Sequence, residues 1–120
     1  MDVLHTAIEV VDLETTCGFY EDFLGLEHTR DFELDGVYNY YVSGSGPAEI
    51  QFRVVEEKPD PAGIDHLAVA VDDVDAVVEE AQREWESDVE TEPTTLEDLG
   101  VRIAFITDPE GYTVELIEEL

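Results

Sequence analysis

Val101-Arg102-Ile103-Ala104-Phe105-Ile106-Thr107-Asp108-Pro109-Glu110-Gly111-Tyr112-Thr113-Val114-Glu115-Leu116-Ile117 is the stretch whose reading decides the fold. Apolar β-formers alternate on both sides of Asp108-Pro109-Glu110-Gly111, as in two strands that each bury one face. The break between them is a turn. Pro109 presets φ, and Gly111 supplies a conformation that a β-carbon would oppose. Past the turn, Tyr112, Val114 and Leu116 share one face while Thr113, Glu115 and Ile117 share the other. A carboxylate among packing residues in mid-strand needs a partner or a use. Glu115 is therefore the first candidate for chemistry.

Working outward, the same grammar recurs. Leu4 to Val11 reads as a strand, with Leu4, Thr6, Ile8 and Val10 on one face and His5, Ala7 and Glu9 on the other. Asp12 can cap a helix whose stripe is Leu13, Cys17, Tyr20 and Leu24, and Gly25 ends it. Strands follow near Glu27–Leu34 and Val37–Ser43, joined by the hairpin signal Asp35-Gly36, and then at Ala48–Val55. Past Glu56 to Gly63, charged and containing two prolines, a strand is expected over Ile64–Val71. Asp73 can cap a helix striped by Val74, Val77, Val78, Ala81 and Trp85. A short strand over Asp88–Glu92 and a loop over Pro93–Leu99 lead to the closing hairpin.

The halves superimpose. An offset of 61 residues lays His5 on His66, Ala7 on Ala68, Val10 on Val71 and Asp12 on Asp73. An offset of 64 lays Ile50-Gln51-Phe52 on Val114-Glu115-Leu116, and Tyr41-Val42-Ser43 on Phe105-Ile106-Thr107. The drift between the two offsets is a length change in one loop. The chain is read as an α+β domain of two tandem βαβββ modules, residues 1–57 and 64–120 with a linker at 58–63. They are expected to form a curved mixed sheet with helices on its outer face.

Composition narrows the function. With 120 residues and a hydrophobic fraction of 43%, the chain can bury a core. The formal charge of −27, from 32 acidic against 5 basic residues, repels nucleic acid and anionic membranes, so neither is expected as a partner. The carboxylates are spread along the whole length, which suits a solvated surface in the high-salt cytoplasm of a halophile. No apolar run has membrane-spanning length, and no secretory signal is read at the start. Cys17 is alone, as expected in a reducing cytoplasm.

The repeat puts polar residues at matched points: His5 and His66 in the first strand of each module, Gln51 and Glu115 in the last. Around His66, Leu67, Val69 and Val71 form the packing face, and the small Ala68 and Ala70 share the other, leaving space before the sheet. Two imidazoles, an amide and a carboxylate suit zinc, nickel, cobalt, manganese or ferrous iron, one divalent ion per site. A divalent ion with Glu115 and three neutral ligands retains one positive charge, which favours stabilising an anion. Glu49, Glu9 and Arg53 extend the same faces as weaker candidates, with a solvated or ion-paired surface as the ordinary reading.

These residues resemble a known family. Leu4-His5-Thr6-Ala7-Ile8-Glu9-Val10, Phe19-Tyr20-Glu21-Asp22-Phe23-Leu24-Gly25-Leu26, Asp65-His66-Leu67-Ala68-Val69 and Asp108 to Glu118 are similar to the vicinal oxygen chelate superfamily. That superfamily includes glyoxalase I, bleomycin and fosfomycin resistance proteins, methylmalonyl-CoA epimerase and extradiol dioxygenases. His5-Thr6 and Tyr112 to Glu118 are most similar to its glyoxalase I (lactoylglutathione lyase) branch. The resemblance implies His5, Gln51, His66 and Glu115 as metal ligands and Glu115 as the catalytic base. Gln51 stands where glyoxalases usually carry glutamate, and the set of two histidines, glutamine and glutamate resembles the epimerase branch. Glu9 stands where bacterial glyoxalases usually carry arginine, which disfavours a thiol as rich in carboxylates as glutathione.

The implied activity is a divalent-metal-dependent lyase or isomerase that stabilises the enediolate of a small oxygen-chelating substrate, such as a 2-oxoaldehyde–thiol adduct. The alternatives are an epimerase-like enzyme, a ferrous extradiol-type dioxygenase using His5, His66 and Glu115, and a resistance-type binder. The resemblance further implies a cytoplasmic homodimer.

Overall fold

Asp12 and Asp73 open the helical part of each module, as their spacing predicts. The Asp12 carboxylate accepts from Thr15 N at 3.0 Å and from the Thr15 hydroxyl at 2.8 Å, and Asp73 accepts from Ala76 N at 3.1 Å. The computed structural model describes residues 4–57 and 63–120, so of the expected linker only Gly63 lies among the described residues. Two units divide between Gly63 and Ile64. Each is one βαβββ module, and the chain is α+β.

In the first unit the order is β1 (His5–Val10), α1 (Leu13–Cys17), a π-helical segment Gly18–Phe23, β2 (Glu27–Leu34), β3 (Val37–Ser43) and β4 (Glu49–Val54). The sheet order is β1-β4-β3-β2, with β1 and β4 parallel and the other pairs antiparallel. In the second unit β5 (Leu67–Ala70), α2 (Val74–Trp85), β6 (Val89–Leu96), a 3-10 turn Glu97–Leu99, β7 (Val101–Thr107) and β8 (Thr113–Glu119) repeat it. Its sheet order is β5-β8-β7-β6, again with the first and last strands parallel.

One face of each sheet is apolar and carries the core. Ile8, Val10, Val42 and Phe52 are buried with Phe19 and Tyr20 of the first unit, and the Tyr20 and Phe52 rings lie 5.2 Å apart. In the second unit Leu67, Ala104, Ile106, Val114 and Leu116 are buried, as are Val74, Val78 and Ala81 of α2, which packs against β6, β7 and β8. Each wholly buried valine, leucine, isoleucine or phenylalanine among them contributes about 1.5–3 kcal/mol of transfer free energy.

Local details depart from the sequence pattern for identifiable reasons. The first helix buries Thr16, Phe19 and Tyr20 rather than a stripe of Leu13, Cys17, Tyr20 and Leu24. Leu24 N donates to Phe19 O, five residues back, at 3.0 Å, and this wider turn rotates the buried stripe. The strand expected over Ile64–Val71 is confined to Leu67–Ala70, leaving His66 just ahead of it. The strand expected to stop at Glu92 runs on through Pro93 to Leu96. β6 is the outer strand of its sheet, and its register skips from Thr91 to Thr94, so the missing proline N–H falls in a bulge. Asp35 and Gly36 both have positive φ, 52° and 81°, as their two-residue hairpin requires.

The Asp108–Gly111 turn is tied by one carboxylate. Asp108 Oδ1 accepts from Glu110 N at 2.9 Å and Tyr112 N at 2.8 Å, and Asp108 is 5% exposed. Gly111 takes φ 91°. At the start of α2, Glu118 Oε1 accepts from Val74 N at 2.9 Å, while Arg102 clasps both oxygens of Asp75 at 2.7 and 2.9 Å. That hydrogen bonding, followed by the guanidinium charge, holds Asp75 below its ordinary pKa of 3.8.

Asp108→Ala strands two backbone N–H groups and is expected to cost about 2 kcal/mol in urea unfolding, with the fold retained. Asp75, depressed in the folded state, contributes stability that is complete above its ordinary pKa and vanishes as pH falls through the folded value. Arg102→Gln should therefore flatten the acid limb of a stability–pH curve below about pH 4. Urea midpoints between about pH 3 and 6 read this directly.

Candidate functional site

The face of each sheet opposite the core carries the candidate residues. In the second unit this face begins with His66 and continues through Ala68 and Ala70 of β5 and Glu115 and Ile117 of β8. Ala68 is the ladder partner of Glu115. His66 Nδ1 lies 2.6 Å from Asp65 Oδ2, and His66 Nε2 lies 3.3 Å from Glu115 Oε1. A carboxylate accepts only, so both ring nitrogens face acceptors: Nδ1 donates to Asp65, and without a metal the Glu115 carboxylate favours a proton on Nε2 as well. The hydrogen bond to Asp65 raises the His66 pKa above its ordinary 6.5; partial burial opposes this and Glu115 adds to it. Phe105 meets the imidazole edge to face at 5.5 Å and limits its rotation.

The first unit repeats this frame with different chemistry. Ala7 of β1 is the ladder partner of Gln51, as Ala68 is of Glu115. His5 meets Tyr41 edge to face at 5.6 Å, as His66 meets Phe105. Gln51 Nε2 donates to Asn39 Oδ1 at 2.7 Å. Arg53 reaches Glu9 at 3.2 Å, and Arg30 reaches Glu49 at 3.2 Å with its guanidinium carbon 4.0 Å from the Tyr41 ring centroid. The Thr29 hydroxyl donates to Glu49 at 2.5 Å and is the chief cause of its pKa lying below the ordinary 4.5. Glu49, Glu9 and Arg53 are thus engaged in ion pairs, as expected of weaker candidates.

The structure therefore brings His66 and Glu115 into direct contact and sets His5 and Gln51 on adjacent parallel strands of the first unit. Asp65 and Asn39, which orient His66 and Gln51, are not evident in the sequence pattern. Asp65 precedes the expected ligand, where alternation assigns it to the opposite face. Asn39 reads as an ordinary strand residue. A metal ion fits the chemistry of this donor set. Two donors about 2.1 Å from one ion at about 90–110° lie roughly 3.0–3.4 Å apart, which includes the His66–Glu115 separation. The carboxylate behind the imidazole is the arrangement that orients metal-binding histidines. His5 makes no hydrogen bond among the described residues, nor does Gln51 Oε1.

Other reactive groups serve the scaffold. Burial pushes the Cys17 thiol up to about 12, with the Glu21 carboxylate adding to it, so it is no nucleophile at neutral pH. Among the described residues, Asp73, Asp75 and Glu118 are the group of three acidic side chains with donor atoms within 4.8 Å of one another. Each is already engaged at the start of α2, by Ala76 N, Arg102 and Val74 N respectively. No helix among the described residues is long and apolar enough to cross a membrane.

Comparison with known proteins places this site in context. The family model described as Glyoxalase/Bleomycin resistance protein/Dioxygenase superfamily matches residues 2–116. A lactoylglutathione lyase of Haemophilus influenzae is 34% identical over 127 aligned positions, covering 98% of this chain and 93% of that protein. Glyoxalase I from Zea mays superimposes with a TM-score of 0.80 at 27% identity, over 98% of this chain and 44% of the maize chain. TnmS3, an antibiotic binding protein from Streptomyces sp. CB03234, superimposes at 0.73 with 25% identity, over 100% of this chain and 97% of its own.

Proposed function

Because the chain belongs to the glyoxalase/bleomycin resistance protein/dioxygenase superfamily, we propose that it is a divalent-metal-dependent lyase of the glyoxalase I type. Its substrate class is the adduct of a 2-oxoaldehyde with a thiol. The single observation that carries this reading is the His66–Glu115 contact at 3.3 Å, with Asp65 holding the far side of the imidazole. The proposed ligands are His5, Gln51, His66 and Glu115. Sequestering a small molecule requires no such orientation of imidazole against carboxylate, so the enzyme is the stronger reading. Assembly as a homodimer belongs to the same proposal.

A bound divalent ion supplies Lewis-acid stabilisation for the oxyanion that forms when a C–H bond beside a carbonyl is broken. The chain supplies the proton traffic. Glu115 Oε1 faces His66, and no contact of its second oxygen is found among the described residues, so that oxygen is the base. It takes the proton from the carbon bearing sulfur and hydroxyl, and the C–H pair becomes the carbon–carbon double bond of the enediolate. Glu115 then returns that proton to the neighbouring carbon, while the hydroxyl proton passes to the other oxygen. The adduct leaves as a 2-hydroxy thioester, with atoms and electrons unchanged in number. His66, held through Nδ1 by Asp65, keeps Nε2 on the Glu115 side, where loss of its proton would free a lone pair for a metal.

Two features shape specificity. Glu9, tied to Arg53, presents acid rather than base on the first-unit face, so a thiol with fewer carboxylates than glutathione fits better. The amide at Gln51 also suits the epimerase-like reading, in which Glu115 would move a proton beside a thioester carbonyl. Purification in high salt followed by metal analysis should give close to one nickel, zinc, cobalt or manganese per chain. His66→Ala should lose that metal, and unchanged metal content would reject the ligand assignment. Glu115→Gln should retain the fold and lower kcat by about 10²–10⁴-fold. Methylglyoxal with several thiols, and separately methylmalonyl-CoA, are the substrates to assay; turnover of the second alone would favour the epimerase.

A further inference from the structure

Asn39 is a buried amide in the middle of β3, 4% exposed, on a strand otherwise built of aromatic and β-branched residues with one serine. Its two polar atoms are both spoken for. Nδ2 donates to Val37 O at 3.0 Å, and Oδ1 accepts from Gln51 Nε2 at 2.7 Å. The Val37 group is a main-chain carbonyl and can only accept. It therefore fixes which end of the Asn39 amide turns toward it, and so which end turns toward Gln51. Gln51 must in turn offer its NH2. A reversed Gln51 would set two carbonyl oxygens against each other and leave the buried Asn39 oxygen unpaired.

We propose that Asn39 is a positioning residue that locks the Gln51 carboxamide with its Oε1 free, so that residue 51 acts as an oxygen donor of fixed orientation. This rests on the reading of Gln51 as a metal ligand, because an amide coordinates a hard or borderline divalent ion through oxygen, not nitrogen. The chain of constraint runs from Val37 O through Asn39 to Gln51, all within the first unit. It also accounts for an amide rather than an acid at position 51. A glutamate there would require the Asn39 NH2, and Asn39 could supply it only by turning its oxygen onto Val37 O. The specificity of position 51 for glutamine is thus written into the strand beside it.

The test is a double-mutant cycle read by cobalt(II) binding to the metal-free protein in high salt. Asn39→Leu should raise the Kd for cobalt by about 10–100-fold, the usual effect of losing a partner that orients a ligand. Gln51→Ala should raise it too, and adding Asn39→Leu to Gln51→Ala should change nothing more. A structural role for Asn39 would weaken binding equally in both backgrounds, and that additivity would overturn the inference. So would an unchanged Kd in Asn39→Leu.

Nuclear magnetic resonance of the metal-free wild type provides an independent reading that needs no variant to fold. The Gln51 side-chain NH2 should show protected, slowly exchanging protons with contacts to Asn39 that place its nitrogen toward that residue. A freely rotating Gln51 amide would overturn the inference directly. Cobalt binding that survives His66→Ala unchanged would instead strike at the ligand set, so the two failures are told apart.

Discussion

Parallel pairing between the first and last strand of each module is the constraint on which the rest depends. β1 lies beside β4 and β5 beside β8, although a helix and two strands separate the members of each pair in sequence. Such closure is entropically expensive and is offset only when the strands bury a common apolar face. Ile8, Val10 and Phe52 do so in the first unit, as Leu67, Val114 and Leu116 do in the second. Once those residues face the core, the period of two leaves no choice about the others. Gln51 and Glu115 must point to the opposite face, each opposite an alanine too small to cover it.

Much of this was legible because repetition amplifies weak signals. Either histidine alone is ordinary, but the two offsets equate Ala7 with Ala68 and Gln51 with Glu115, and the ladders are equivalent in turn, Ala7 beside Gln51 and Ala68 beside Glu115. The ring contacts of His5 with Tyr41 and His66 with Phe105 follow the same offsets. What was not legible has a common cause: it depends on hydrogen-bond polarity or on backbone irregularity, which binary patterns do not encode. The wide turn after Cys17 rotates a helical stripe that an ideal period places elsewhere. Pro93 reads as a strand terminator, and only its place at a sheet edge lets β6 pass through it. His66 belongs to a strand by alternation but stands outside it, which frees its imidazole to reach both Asp65 and Glu115.

The two units use one frame for different electrostatic ends. Of the five basic residues in the chain, Arg30 and Arg53 lie on the first-unit face beside His5 and Gln51, each pairing with a glutamate. Those pairs are partly exposed and contribute little to stability. Their effect is local: each guanidinium partly offsets the glutamate beside it, which still presents its carboxylate on that face. The second-unit face instead has half-buried Ile103, Phe105 and Ile117 around Glu115, which lowers the local dielectric and strengthens whatever charge that carboxylate meets.

The choice of amide at position 51 follows from the same reasoning. A second carboxylate would cancel the remaining charge of a divalent ion held by Glu115, and so weaken the attraction that an enediolate gains over a neutral ground state. In an ordinary surface environment a glutamine could not substitute for it with any reliability, since its two ends differ chemically but barely in shape. A carbonyl of the main chain resolves that ambiguity here, because its polarity is set by the β-ladder and cannot be inverted without breaking the strand. In the proposed site, charge at the ion and orientation at the ligand would be controlled separately, the first by the identity of residue 51 and the second by the buried asparagine next to it. A duplicated module would permit this division: on the proposed reading the second copy retains the acid for proton transfer, and the first is free to exchange charge for a fixed dipole.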